Sequence, residues 1–177
     1  MLFFTADTHF GHYNIIKHCR CRKKAFNSIS EMDGLFIDSI NKYVKKSDIL
    51  YHLGDFCWNK QFIQKYRSAI NCKNVHLIRG NHDKGNYDAA FSSIQHMLIL
   101  KNPHIHLCHY PLLSWCGSNY KSIHLYGHCH GNMEKKLDYI LPHRRSMDVG
   151  IDNIYSLSKE WRPISINEIL SYLSVTC

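Results

Sequence analysis

The sequence of 177 residues lacks the features of a membrane-spanning or repetitive protein. No apolar run approaches the roughly 18 residues that a transmembrane helix needs, so we expect no membrane partner. There is no internal repeat, no low-complexity tract and no linker rich in proline and glycine. The opening residues turn polar at Asp7 without a basic start, so we expect no signal peptide and a cytoplasmic location. These absences predict a single domain over residues 1–177.

The eight cysteines form no C-x-x-C pair, which argues against zinc-finger and thioredoxin motifs. In a cytoplasmic chain they are best interpreted as reduced thiols. Cys19-x-Cys21 is a weak signal for metal binding, and we interpret this pair as ordinary residues. The same interpretation applies to Cys57, Cys72, Cys108, Cys116, Cys129 and Cys177.

Histidine is in clear excess, with 14 residues in the chain. Lysine and arginine together number 22 against 14 aspartates and glutamates, which gives a formal net charge of +8. A basic chain attracts phosphate-bearing partners, although basic composition is also common without one. The excess of histidine needs a chemical explanation, and the positions of these residues provide part of one.

Hydrophobic patterning predicts an α/β layered domain. Ser28 and Glu31 form a capping box that opens a helix over residues 29–44, and helical spacing predicts a second helix over residues 62–70. A second capping box, Ser165 with Glu168, predicts a short helix that runs through Leu173. Strands are expected at residues 2–6, 49–53, 75–78, 96–100, 104–108, 123–126, 137–141 and 146–151.

Polar side chains with metal-binding atoms follow five of these predicted strands. Ligand sites in open α/β sheets form at the carboxyl ends of strands, so these residues are expected to meet at one edge. The residues are Asp7, His9, Asp55, Asn81, His109, His128 and His130. Each fragment alone is as consistent with a turn or a surface histidine as with a ligand.

The joint pattern is more specific than its parts. Carboxylate, amide and imidazole ligands together suit Mn²⁺, Fe²⁺, Zn²⁺ or Ni²⁺. Two such ions lie about 3.5–4 Å apart in dinuclear sites, which requires one carboxylate between them. Seven ligands, one of them used twice, supply about four protein bonds to each ion.

The ordered series Asp7-x-His9, Gly54-Asp55, Gly80-Asn81-His82-Asp83, His109 and Gly127-His128-x-His130 resembles the calcineurin-like metallophosphoesterase superfamily. All five motif blocks of that family are present in order. The flanking segments 5–12, 51–56 and 162–165 are similar to a small bacterial or phage-type branch. The resemblance implies a four-layer α/β/β/α sandwich of two mixed sheets flanked by helices, with a dinuclear metal site at the strand ends.

By motif position, the resemblance implies that Asp7, His9 and His130 hold one metal ion. Asn81, His109 and His128 would hold the other, and Asp55 would bridge the two. His82 matches the catalytic histidine of the family, and Asp83 would orient its ring.

Four further residues are candidates for substrate binding. His12 and His52 lie near motif residues, while Arg20 and Arg22 belong to the densest basic segment of the chain. A substrate-binding role for that segment and a solvated loop are equally consistent with the sequence.

The resemblance implies a metal-dependent phosphoester hydrolase in which a hydroxide between two cations attacks phosphorus in line. We expect a phosphodiesterase with two divalent ions, Mn²⁺ first, and a phosphate ester as substrate, for which a nucleotide or nucleic acid is one candidate. A nuclease and a small-molecule phosphomonoesterase are alternative enzymes with the same site. A catalytically silent binding scaffold is the alternative outside the enzymes. The oligomeric state is not encoded in any feature that we identify.

Overall fold

A computed structural model of the chain describes residues 1–85 and 89–175, and Cys177 lies outside these ranges. Within them, nine strands form two sheets, and helices surround the sheets. The strands are β1 (Leu2–Thr5), β2 (Ile49–His52), β3 (Asn74–Ile78), β4 (Ser93–Gln95), β5 (Met97–Leu100), β6 (Ile105–Cys108), β7 (Ile123–Tyr126), β8 (Ser146–Asp148) and β9 (Ile164–Ser165). The helices are α1 (Ile15–His18), α2 (Arg20–Ala25), α3 (Ile29–Tyr43), α4 (Ile63–Ala69), α5 (Glu134–Ile140), α6 (Ile151–Ser158) and α7 (Ile166–Val175).

Both sheets are mixed. The first has the order β4-β3-β2-β1-β9, in which only β9 is antiparallel to its neighbour. The second has the order β5-β6-β7-β8, in which only β5 is antiparallel to its neighbour. Thr5 pairs with His52, which pairs with Leu77, so β1, β2 and β3 end level with one another. The loops that carry Asp7, His9, Asp55 and Asn81 therefore leave the first sheet at a common edge.

Alternate side chains of the first sheet point into two different cores, because successive residues of a strand face opposite sides. Phe4 packs toward the second sheet, where Leu107 and Leu125 join it in one apolar cluster. Its neighbour Phe3 packs on the other side, in a cluster with Phe36 of α3. On the outer face of the second sheet, α5 contributes the buried Leu137. The predicted α/β/β/α sandwich is confirmed.

The capping boxes form as predicted. The Glu31 N–H donates to Ser28 Oγ over 3.2 Å, and the Glu31 carboxylate accepts from the Asn27 N–H over 2.9 Å. At the start of α7, the Glu168 carboxylate accepts from the N–H of Ser165 over 3.0 Å. These contacts satisfy backbone donors that the first turn of a helix leaves without partners.

Two predicted strands near the C-terminus are wrong in whole or in part. Residues 137–141 lie mostly in α5, where Leu137 faces the core while Tyr139 and Ile140 are exposed, as helical spacing requires. The strand predicted at 146–151 ends at Asp148, because Ile151 already begins α6. The sequence pattern also does not predict α1, α2, β4 and β9, which are too short for a periodic pattern, or the eight-residue α6. No helix among the described residues is long and apolar enough to cross a membrane.

Candidate metal centre

The backbone at the predicted ligands is unusual. Five of the seven have a positive φ, which side chains other than glycine rarely adopt. The angles are 57° for Asp7, 50° for His9, 57° for Asp55, 69° for His128 and 50° for His130. Such conformations cost about 1–3 kcal/mol each and cluster at functional sites.

Hydrogen bonds between two loops hold this strained backbone in place. The Asp7 N–H donates to the Gly54 carbonyl and the His9 N–H donates to the Asp55 carbonyl, both over 2.9 Å. Gly54 itself has a φ of 95°, and a Cβ there would collide with the ring of His109. The loop after β1 and the loop after β2 are therefore fitted to each other by their backbones before any ion binds.

One group of ligands comes from two loops, the one after β1 and the one after β7. Asp7, His9 and His130 each present an atom within 4.8 Å of the others. The Asp7 carboxylate also accepts from the His128 N–H over 2.9 Å, which ties the β1 loop to the β7 loop across the two sheets. Burial raises the pKa of Asp7 to about 6 and outweighs the charges of His130 and His109, which act to lower it.

The second group is formed by Asp55, His109 and His128, which also lie within 4.8 Å of one another. His109 Nδ1 lies 2.7 Å from the Leu53 carbonyl, so this nitrogen carries the hydrogen and donates it. Nε2 of the same ring points toward two acceptor atoms. These are Asn81 Oδ1 at 3.1 Å and Asp55 Oδ2 at 3.5 Å. Three electron-rich atoms that converge in this way require a positive charge among them.

Asp55 lies between the two groups. Its Oδ2 is 3.6 Å from His9 Nε2 on one side and 3.5 Å from His109 Nε2 on the other. Burial would raise the pKa of Asp55, but the hydrogen bond and charge of His109 and the charge of His9 outweigh burial and hold it well below its ordinary value. Conversely, burial would lower the pKa of His109, and the Asp55 and Asp7 carboxylates instead raise it to about 9.

The residues present therefore fit metal ions. Both ring nitrogens of His9 are buried and lack a hydrogen-bond partner, although a buried imidazole normally has one. The donor set combines carboxylates, an amide and imidazoles, which is the mixture that borderline divalent cations accept. Without ions, protons on His109 supply the positive charge that the carboxylates require.

His130 is held from behind by a carboxylate that the sequence analysis missed. His130 Nδ1 donates to Asp152 Oδ2 over 2.6 Å, which leaves Nε2 as the atom that can bind an ion. Burial acts to lower the pKa of His130, but the hydrogen bond to Asp152 raises it to about 11. A carboxylate behind a ligating imidazole fixes its tautomer and raises its basicity.

A family model for calcineurin-like phosphoesterases matches residues 2–173 of the chain. The chain belongs to this family. It is 30% identical to an uncharacterized protein of Methanocaldococcus jannaschii, MJ1445, over 97% of this chain and 90% of the relative. The crystal structure of a protein of unknown function from Aquifex aeolicus, AQ665, superposes with a TM-score of 0.71 at 25% identity. That superposition covers 97% of this chain and 98% of the other.

As a calcineurin-like phosphoesterase, the chain is a metal-dependent hydrolase of phosphoesters, and divalent ions are the cofactors of the family. The recognised superfamily is thus confirmed. Its placement in a small bacterial or phage-type branch stays a prediction.

Two predicted substrate-binding residues of this phosphoesterase are buried inside it, so that prediction is wrong for them. The Arg22 side chain is fully buried and donates from Nε and Nη2 to Asp152 over 2.8 and 2.6 Å. Its guanidinium also donates to the carbonyls of Asp7 and Thr8, next to the strained ligands. The fully buried His52 contacts the Thr8 hydroxyl over 2.9 Å. Both residues support the ligand loops and do not reach a substrate.

Asp83 does not orient the ring of His82, contrary to the prediction. Its carboxylate accepts from the backbone N–H groups of Asp55, Phe56 and Gly80 over 2.7–2.9 Å. Asp83 therefore joins the β2 loop to the β3 loop. The His82 ring is 37% exposed, with Nε2 4.0 Å from Asp55 Oδ2, so it can contact a substrate at the centre.

The two remaining substrate candidates line pockets at the centre, although His12 is only 9% exposed. His12 stacks on Trp58 with ring centroids 3.7 Å apart and planes 7° apart, and it lines the same pocket as His9 and His82. Arg20 is exposed and lines a neighbouring pocket that also borders His130.

Proposed function

We propose that the chain is a phosphodiesterase with a dinuclear metal centre. The observation that carries this proposal is the position of Asp55, whose Oδ2 lies about equally far from a histidine of each ligand group, at 3.6 and 3.5 Å. A carboxylate so placed is what two neighbouring cations require. Mn²⁺ is the ion that we propose first, with Fe²⁺, Zn²⁺ and Ni²⁺ as alternatives.

The ligands would divide between two ions. Asp7, His9 and His130 would hold one, and Asp55 would serve both; Asn81, His109 and His128 would hold the other. When bound, the ions neutralise the anionic oxygens of the phosphoester and make water acidic enough to attack near neutral pH.

His82 is the group that we assign to the leaving oxygen. The backbone N–H of His82 donates to Asp55 Oδ1 over 2.9 Å, which fixes this part of the loop against the centre. The ring is exposed enough to reach a substrate, and an imidazole there can donate a proton to the departing alkoxide.

Surface shape supports a diester over a monoester. A pocket on the His130 side is lined by His18, Arg20 and Lys24, which are exposed basic residues. A separate groove, on the Trp58 side of the centre, is lined by Lys60 and Lys84. A monoester has one organic group esterified to phosphate, whereas a diester has two. The centre offers a basic surface to each of the two groups of a diester.

A nuclease is the second candidate, and Trp58 is the observation that favours it. The indole is 47% exposed, borders the Lys60 and Lys84 groove, and lies 4.9 Å from the His82 ring. An aromatic ring beside lysines can stack a nucleobase while the lysines contact its phosphates.

The proposal is tested with bis(p-nitrophenyl) phosphate and p-nitrophenyl phosphate, in the presence of Mn²⁺ and then of a chelator. We expect metal-dependent hydrolysis, with the diester preferred. Preference for the monoester would replace the phosphodiesterase by a phosphomonoesterase. Absence of metal-dependent hydrolysis of both substrates would favour the binding scaffold. Mn²⁺-dependent cleavage of single-stranded RNA or DNA would select the nuclease.

His82→Ala tests the assignment of the proton donor. The variant should keep its metal content and lose most turnover, because the ring is not part of either ligand group. His143→Ala is the matched control, since His143 is exposed and lines a different pocket. Full activity of the His82 variant would remove this residue from the mechanism. The single-domain organisation and the cytoplasmic location stay predictions.

A further inference from the structure

Cys19 and Cys21 converge on the carboxylate that supports His130. Their Sγ atoms lie 3.3 Å apart, and they donate to Asp152 Oδ1 over 3.3 and 3.2 Å. Neither thiol belongs to a disulfide. Cys19, Asp152 and His130 also present one ligand atom each within 4.8 Å of one another. From the sequence this pair is interpreted as ordinary residues, and the contacts with Asp152 change that interpretation.

Local structure explains why the two thiols face the same side. Cys19 is an extended residue between α1 and α2, and Cys21 lies in the first turn of α2. The change from extended to helical backbone turns both side chains toward Asp152 at the start of α6. Both cysteines are half-buried and line the open pocket beside His130, so an ion in solution can reach them.

We propose that Cys19, Cys21 and Asp152 form a third cation site, which binds a thiophilic divalent ion such as Zn²⁺ or Cd²⁺. Thiolates select such ions over Mn²⁺ and Mg²⁺, which prefer oxygen ligands. Zn–S bonds of about 2.3 Å in a tetrahedral site place two sulfurs about 3.8 Å apart, which the present pair reaches by separating about half an ångström. Binding replaces the two S–H protons, which pass to the solvent.

The charges at this site balance when it is filled. Two thiolates and the Asp152 carboxylate contribute three negative charges, and Arg22 contributes one positive charge from its contacts with the same carboxylate. A divalent ion supplies the other two. Oδ1 accepts from both thiols and from Arg22 Nε, while Oδ2 accepts from His130 and from Arg22 Nη2.

This third site would be coupled to the dinuclear centre through one side chain. An ion at Asp152 Oδ1 draws charge away from the hydrogen bond between Oδ2 and His130. Occupation should therefore weaken binding of the ion held by Asp7, His9 and His130, and the coupling is reciprocal.

The experiment is a Cd²⁺ titration of the Mn²⁺-loaded protein, followed by the ultraviolet thiolate-to-cadmium band. We expect one equivalent of Cd²⁺ to produce an absorption band with the intensity of two thiolate–cadmium bonds. The Cys19→Ser/Cys21→Ser variant should not produce this band. Cys116→Ser, which alters an exposed thiol outside the pocket, should keep it. An unchanged band in the double variant would overturn the proposal.

A second measurement uses the unmodified chain and so does not depend on how the variants fold. Alkylation by iodoacetamide is mapped by mass spectrometry with and without Cd²⁺. Cys19 and Cys21 should be protected about tenfold by one equivalent of Cd²⁺, while Cys116 stays reactive. Equal alkylation of the pair in both conditions would contradict the site. Neither readout depends on hydrolysis, so the outcome is independent of the proposed phosphodiesterase activity.

Discussion

Replacing Asp152 by asparagine removes a buried negative charge while it keeps the shape of the side chain. The Arg22 and Asp152 side chains are 0% and 1% exposed, and their closest atoms are 2.6 Å apart. The same carboxylate accepts from His130 Nδ1 over 2.6 Å. The substitution therefore disturbs a buried ion pair and a predicted metal ligand together.

The magnitude follows from these two contacts. Breaking a buried ion pair from one side costs about 3–5 kcal/mol, because the remaining charge stays in the protein interior without its partner. We expect the free energy of unfolding of the metal-free protein to fall by that amount. Loss of the carboxylate behind a ligating histidine lowers metal affinity about 10- to 100-fold, and we expect this for one of the two ions only.

Urea unfolding in the presence of a chelator measures the first effect, and calorimetric titration with Mn²⁺ measures the second. Asp138→Asn is the control, because Asp138 is 63% exposed where it contacts Arg144, and surface pairs contribute at most about 1 kcal/mol. The double variant Arg22→Met/Asp152→Asn should recover most of the lost stability, since no buried charge is left unpaired. If Asp152→Asn unfolds like the control and binds both ions with unchanged affinity, the role assigned to Asp152 is wrong.

Three further outcomes are expected. Arg20→Ala and Lys24→Ala should each raise KM for a diester about two- to fivefold, as expected for exposed charges. Lys23→Ala is the control and should leave KM unchanged, because Lys23 does not line the pocket. Equal effects of all three substitutions would show only the loss of net charge. Saturating Mn²⁺, at about 100 times its Kd, should add about 2.7 kcal/mol per site to the free energy of unfolding; an unchanged urea midpoint would contradict metal binding. Burial lowers the pKa of His124 to about 4, below its ordinary 6.5. Only the unfolded chain then gains this proton, so about 3 kcal/mol of stability should be lost as pH falls from 6.5 to about 4. His124→Gln should flatten that part of the pH profile, and an unchanged slope would refute the assignment.

Much of the architecture is predictable because its determinants are local. Ser28 and Glu31 are three residues apart and fix the start of α3 through their own contacts. The ligand residues also lie in short motifs directly after strands. The parallel pairing of β1, β2 and β3 brings together those that follow the first sheet, and the parallel pairing of β6 and β7 brings together those that follow the second.

The supporting contacts of the site are not predictable in this way, because their partners are distant in sequence. Arg22 and Asp152 are 130 residues apart, and no motif near either one indicates the other. Within the basic segment, no local signal distinguishes the buried Arg22 from the exposed Arg20. The same holds for Cys19 and Cys21, whose significance depends on a helix that begins far downstream.

The left-handed backbone at five ligand positions also bears on the stability of the chain. Glycine accepts a positive φ without strain, so the backbone alone would favour glycine at each of these positions by about 1–3 kcal/mol. At Asp7 and Asp55 that preference is opposed, because their buried carboxylates accept hydrogen bonds that join the loops. Histidine or aspartate at all five positions therefore places ion-binding atoms where the backbone alone would favour glycine, so part of the folding free energy is given up for the metal centre.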